Sequence, residues 1–148
     1  MFRPVILLFF LVCCLVFPFP AASAAATPLD PREEAMAATL DVWRDGRFEQ
    51  LYDLLSHRSG MTRERFVRLL RETDIRPACC FTKLRDFRVV NEKRTTAKVF
   101  ARVGMEGGSS AENSHSREFT LDHEEGRWKM RLSDIKSLAG GTGSKRKR

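Results

Sequence analysis

The chain has 148 residues, with 26 lysines and arginines against 19 acids and a formal net charge of +7. That length holds the core of one domain, and setting aside Arg3 and the four cations of residues 145–148 leaves only +2 on the body. With no zinc-ligand spacing, no aromatic-basic signature and no Arg/Asn-rich recognition helix, the sequence excludes a recognisable nucleic-acid module.

The chain opens with a positive charge at Arg3, an unbroken apolar run over residues 5–17, and a small-residue exit through Ala22, Ser23 and Ala24. That order predicts a secretory signal peptide over residues 1–24, cleaved after Ala24, and so an exported protein, periplasmic or secreted. Thirteen apolar residues are too few for a membrane anchor, which needs ~20 in a helix, and Pro18 and Pro20 would break any extension. Cys13 and Cys14 follow bulky residues deep in the apolar run, which disfavours a lipid anchor. No stable membrane span is expected after cleavage.

Residues 25–139 then form one α+β domain. Asp30 followed by Pro31, Glu33 and Glu34 reads as a helix start. Met36, Leu40 and Trp43 recur at helical spacing until Asp45 and Gly46 stop the run. A short second helix carries Phe48, Leu51, Tyr52 and Leu55. Thr62 can cap a third, with Phe66, Leu69 and Leu70 on its inner stripe, and residues 74–77 end the helical half.

Cys79 and Cys80 are the only cysteines beyond the leader. Neighbouring Cα atoms lie about 3.8 Å apart, closer than the ~4.4–6.8 Å of ordinary disulfides. The plain expectation is two small buried hydrophobes at the start of a strand. A vicinal bridge with a redox role, or an intermolecular bridge, is the alternative.

From there the period becomes two. In the first strand Phe81, Phe87 and Val89 share a parity, yet Lys83 and Arg85 occupy the same face. Either a bulge near residues 85–86 turns Leu84 inward and frees both cations, or both point inward and make a cationic pocket for a carboxylate or phosphate. Burying two unpartnered cations is costly, which favours the bulge. The next strand puts Ala97, Val99, Ala101, Val103 and Met105 on one face, and residues 107–114 read as a polar loop. A closing hairpin is expected across a four-residue loop over residues 123–126. It pairs Leu121 with Trp128 and Phe119 with Met130 inside, Asp122 with Arg127 and Glu118 with Arg131 outside, and runs on to Leu132. Residues 140–148 end the chain as a glycine-rich spacer and a basic tail, expected to be disordered.

The segment Phe48, Glu49, Gln50, Leu51, Tyr52, Asp53, Leu54, Leu55, Ser56, with the final Gly126, Arg127, Trp128, Lys129, resembles the nuclear transport factor 2-like (cystatin-like) family, in particular small secreted bacterial members. The resemblance covers roughly residues 30–135. It implies helices packed on a curved four-stranded antiparallel sheet, often with a cone-shaped pocket, and dimerisation through the exposed sheet face. An isomerase-like site of that family would need a tyrosine near Thr39 and an acid near Gly60, and neither residue can serve. Tyr52 falls at the family's packing position.

His57, His115 and His123 show no metal-ligand spacing, and no serine sits in a nucleophile motif. No cofactor and no metal are expected. The expectation is a non-enzymatic binding module holding a small ligand between helices and sheet, with Lys83, Arg85, Tyr52 and Trp43 as candidate ligand residues. The alternative is a homodimer or interaction domain built on the outer face, with Lys98, Phe100, Arg102, Thr120 and Lys129. An isomerase-like enzyme ranks third, because no matched acid–base pair is apparent.

Overall fold

The computed structural model describes residues 29–107 and 113–140. The expected leader, residues 1–24, and residues 141–148 of the expected tail lie outside the described residues. The fold is α+β: helices packed on a curled antiparallel sheet.

Helix α1 spans Pro31–Arg44 and starts as its sequence dictates. Asp30 Oδ1 accepts the Arg32 backbone N–H at 2.8 Å, and Pro31 takes the first helical position, where no amide donor is needed. Gly46 turns the chain at φ 73° into α2, Phe48–Leu54. Helix α3, Arg63–Glu72, is capped by Thr62 Oγ1 and buries Phe66, Val67 and Leu70. Val67 takes the core place expected of Leu69, which is only half-buried.

Strands β1 (Arg76–Pro77) and β2 (Leu84–Glu92) both run antiparallel to β3 (Thr96–Glu106), at Met105–Glu106 and at residues 97–103. Strand β4 (Asn113–Glu124) takes the other side of β3, followed by β5 (Arg127–Met130). The sheet is thus four strands wide, with β1 and β2 forming one interrupted edge. The odd residues of β3, from Ala97 to Met105, are buried against Leu40, Trp43, Phe66 and Phe119, each large side chain contributing about 1.5–3 kcal/mol.

Between β1 and β2 the chain leaves the sheet in a short loop pinched at Gly104. Ala78 N–H donates to Gly104 O at 2.9 Å, and Gly104 N–H donates to Lys83 O at 3.2 Å. A β-carbon at Gly104 would lie 2.3 Å from Thr82 O, so only glycine lets the loop seat there. The expectation for this stretch needs correction. Cys79 and Cys80 are not buried strand residues; they lie exposed on the loop and are joined as a disulfide. Phe81 is 93% exposed rather than inward. The strand begins only at Leu84 and bulges between Arg85 and Arg88, where Asp86 takes φ 55°. Leu84 pairs with Val103 and packs on the core, while Arg85 faces solvent opposite Arg102.

The closing hairpin also differs from expectation. Leu121 pairs with Met130, Asp122 with Lys129, His123 with Trp128 and Glu124 with Arg127. Glu125 and Gly126 form a two-residue connection with φ 53° and 75°, the left-handed pair whose twist matches the strands. A shift of two residues preserves parity, so Phe119, Leu121 and Met130 remain in the core.

The strand does not continue to Leu132. It gives way to helix α4, Leu132–Ala139, which buries Leu132, Ile135 and Leu138. Because β5 is short, β4 is left with an unpaired edge, and α4 covers part of it. Thr120 N–H donates to Asp134 Oδ2 at 3.3 Å, and Arg117 Nη1 reaches Ser137 Oγ at 2.6 Å.

Candidate functional site

The four candidate ligand residues do not converge. Trp43, on α1, lies at 1% exposure within the core. Tyr52 is half-buried, its ring tilted against Phe66 at 5.5 Å, and its hydroxyl donates to Met61 O at 2.7 Å. It latches the turn between α2 and α3. Lys83 Nζ meets both carboxylate oxygens of Asp41 on α1 at 2.5 Å, so its charge is matched. Arg85 stands on the outer sheet face. No cationic pocket forms from Lys83 and Arg85, because the bulge turns one residue out and α1 supplies an acid to the other.

The residues assigned to the outer face sort differently. Phe100 is half-buried beneath Arg88, whose guanidinium sits 3.9 Å from the ring centroid. Arg102 Nε donates to Ser116 Oγ at 3.2 Å, and Arg102 also pairs with Asp86 at 3.2 Å. Lys98 is exposed and Thr120 half-buried. Lys129 is only 6% exposed, with its ammonium bonded to Glu125 at 2.8 Å and Glu124 at 3.4 Å. It offers no accessible surface to a partner.

Two of the open grooves among the described residues border α1. One, of about 400 Å³, lies between α1 and β5. Ala35 and Ala38 leave space on the helix side, Leu54 closes one end, and Trp128 forms the opposite wall. The Trp128 indole is half-buried, tilted against His123 at 4.9 Å and approached by Arg32 at 5.8 Å. Arg127 and Glu34 stand at the rim. Thr39 lines the same groove, but its hydroxyl donates to Ala35 O at 2.8 Å, so it is not free to act on a ligand.

The other groove, of about 450 Å³, runs between the ends of α1 and α3 and brings in Arg44, Arg71 and Arg76 beside Phe48 and Ile75. Each arginine already has an acid: Arg44 and Arg76 share Glu106 at 3.1 and 3.5 Å, and Arg71 holds Glu49 at 2.9 Å. The Cys79 N–H and then Arg44 hold the Glu106 carboxyl below its ordinary range. This groove is therefore a balanced ion network more than an anion trap. Neither groove is legible in the sequence. The sequence places Trp128 inside the hairpin, and only the packing of α1 against β5 brings it to Ala35 and Ala38.

A buried polar knot closes the β5 end of the outer face. Ser56 Oγ donates to Asp122 Oδ2 at 2.7 Å, and Arg131 meets the same carboxylate through two bonds of 2.8 Å. His57 Nε2 lies 3.4 Å from it. Burial pushes the Asp122 carboxyl up, but the Arg131 and Ser56 hydrogen bonds, with the charges of Arg131 and His57, outweigh it and leave a lowered pKa. Ser56 and His57 both address the carboxylate and have no bond to each other, so the group is a brace rather than a nucleophile relay.

Among the described residues no group of three or more metal-ligating side chains comes together, and no helix is long and apolar enough to cross a membrane. Comparison with protein-family models and with curated proteins finds no match to this chain, so what is shown is its architecture, helices on a curled antiparallel sheet.

Proposed function

We propose that this is an exported, non-enzymatic binding module of the nuclear transport factor 2-like kind, holding a flat, mainly apolar ligand in the groove between α1 and β5. The observation that carries it is the half-buried Trp128 ring facing Ala35 and Ala38 across about 400 Å³ of open space. Binding sites are characteristically concave and apolar, with a few polar groups at the rim. An aromatic wall opposite small side chains is suited to a ring system, and Arg127 is placed to meet an acidic substituent.

The test is a titration of the folded chain with 1-anilinonaphthalene-8-sulfonate, a flat apolar probe with one anionic group. Ala38→Leu fills the groove from an exposed helix position and should weaken binding about tenfold or more without lowering the melting temperature. Trp128→Ala should weaken binding as much, with some loss of stability because the ring also packs on the core, while Trp128→Phe keeps most of the affinity. Binding that ignores all three substitutions would reject the groove.

A second reading, interaction through the outer sheet face, draws on Phe100 lying half-open beneath Arg88. Arg85, Arg88, Lys98 and Arg102 outnumber Asp86 and Glu118 on that face, so a second copy would meet a net like charge and an acidic partner fits better. Phe100→Glu should abolish association if this face is used.

A further inference from the structure

The loop between β1 and β2 carries chemistry that the ligand groove does not use. Cys79 and Cys80 form a disulfide between sequence neighbours, and both residues are exposed. A disulfide stabilises chiefly by closing a loop of intervening chain in the unfolded state. This one closes none, and it ties no element to another, since the pinch at Gly104 is made by backbone hydrogen bonds of Ala78 and Lys83. Its purpose is therefore not to hold the fold.

The surroundings suit attack on sulfur. The loop projects from the sheet edge, so a thiolate can approach from solvent. Phe81, 93% exposed, is the most exposed large hydrophobic among the described residues and adjoins the pair directly. Cys80 takes φ 59° and Cys79 N–H is held by Glu106 Oε1 at 3.0 Å, which keeps the turn presented in one shape.

We propose that Cys79–Cys80 is a thiol-exchange site, reduced and re-formed at the surface by a protein dithiol of the thioredoxin class that seats an apolar patch on Phe81. A thiolate of the reductant attacks one sulfur of the pair. The Cys79–Cys80 bond breaks, a mixed disulfide forms, and the displaced sulfur leaves as a thiolate that takes a proton from water. The reductant's second thiolate then attacks the mixed disulfide. The reductant is left with its own disulfide, having given two electrons, and the chain carries two thiols. The reverse sequence, with an oxidised dithiol protein, restores the bridge.

The test follows the tryptic peptide of residues 72–83, which contains both cysteines, by mass spectrometry after alkylation of the folded full chain. Thioredoxin should reduce the pair while circular dichroism stays native, and the oxidised form should return when reduced thioredoxin is replaced by its disulfide form. Phe81→Ala should slow reduction by thioredoxin about tenfold while leaving the rate with dithiothreitol unchanged. The Cys79→Ser/Cys80→Ser variant should melt within about 2 °C of the parent, since the bridge constrains so little chain. The proposal is overturned if the pair is alkylated as free thiols in oxidised protein, if reduction requires unfolding, if the double serine variant loses its fold, or if Phe81→Ala leaves the thioredoxin rate unchanged.

Discussion

The carboxylate of Asp122, buried on β4, meets the guanidinium of Arg131 through two parallel hydrogen bonds of 2.8 Å, and Ser56 completes its coordination at 2.7 Å. Ser56 also accepts the Leu132 N–H and donates its own N–H to Met130 O, so the end of α2 is stitched to the end of β5. Removing the carboxylate leaves Arg131 without its partner and Ser56 Oγ with only a 3.4 Å contact to Met130 O. Asp122→Ala should cost about 2–3 kcal/mol, below the range for a fully buried pair because Arg131 is one-third exposed. Urea unfolding at neutral pH would measure it.

The same residue sets an acid limit. The folded pKa of Asp122 is lowered from 3.8, so its contribution is fully present above that value. It is lost as pH falls through the lower folded pKa, when protonation in the native state breaks the bonds to Arg131. The parent should therefore lose stability relative to Asp122→Ala below about pH 4. A gap between the two that stayed constant from pH 7 to pH 2 would contradict this assignment.

Asp134 should behave in the opposite sense. Burial raises its pKa above 3.8, against the Thr120 N–H and the charges of Arg117 and Arg131. Its ionised form therefore weighs against the fold at neutral pH, and stability is regained as pH falls through the raised folded value. Asp134→Asn keeps an oxygen for Thr120 and should match or exceed parent stability at pH 7, by up to ~1 kcal/mol. Asp134→Ala frees the β4 edge amide and should cost about 1 kcal/mol.

Gly104→Ala should be among the most damaging single-methyl changes available. The clash is with the backbone of Thr82, which no rotamer can relieve, so a loss of about 2–3 kcal/mol is expected. The displaced loop should also expose the Ala78 amide to faster hydrogen exchange. A melting temperature equal to that of the parent would show the loop free to move.

Helix α4 is held by its buried stripe, with Ile135 at 0% exposure. Ile135→Ala should cost about 2–4 kcal/mol. The exposed neighbours Ser133 and Lys136 should each tolerate alanine within about 0.5 kcal/mol.

Local chemistry made some elements legible. Asp30 before Pro31 and Thr62 before the third helix are side-chain caps, and both act as such. Alternation along β3 announced its buried face without tertiary information. The hairpin register was not legible, because alternation fixes a face only modulo two residues and the tight turn depends on Glu125 accepting a positive φ, which glutamate does not advertise. The spacing of Leu132, Ile135 and Leu138 did carry a helical signal, but Leu132 also continued the strand alternation, and eight residues leave little to arbitrate between periods. Grooves and the cysteine loop depend on which distant segments meet, and no local pattern encodes that.

The central position of β3 governs when the protein can first exist during its synthesis. Helices α1 to α3 are complete by Glu72, yet Leu40, Trp43 and Phe66 bury themselves against side chains of β3 and β4 that follow later. A nascent chain ending near residue 95 would carry three amphipathic helices with their apolar stripes uncovered and open to chaperones. Only when β4, β5 and α4 have emerged does every stripe find its cover, so the domain should fold in one late, cooperative step.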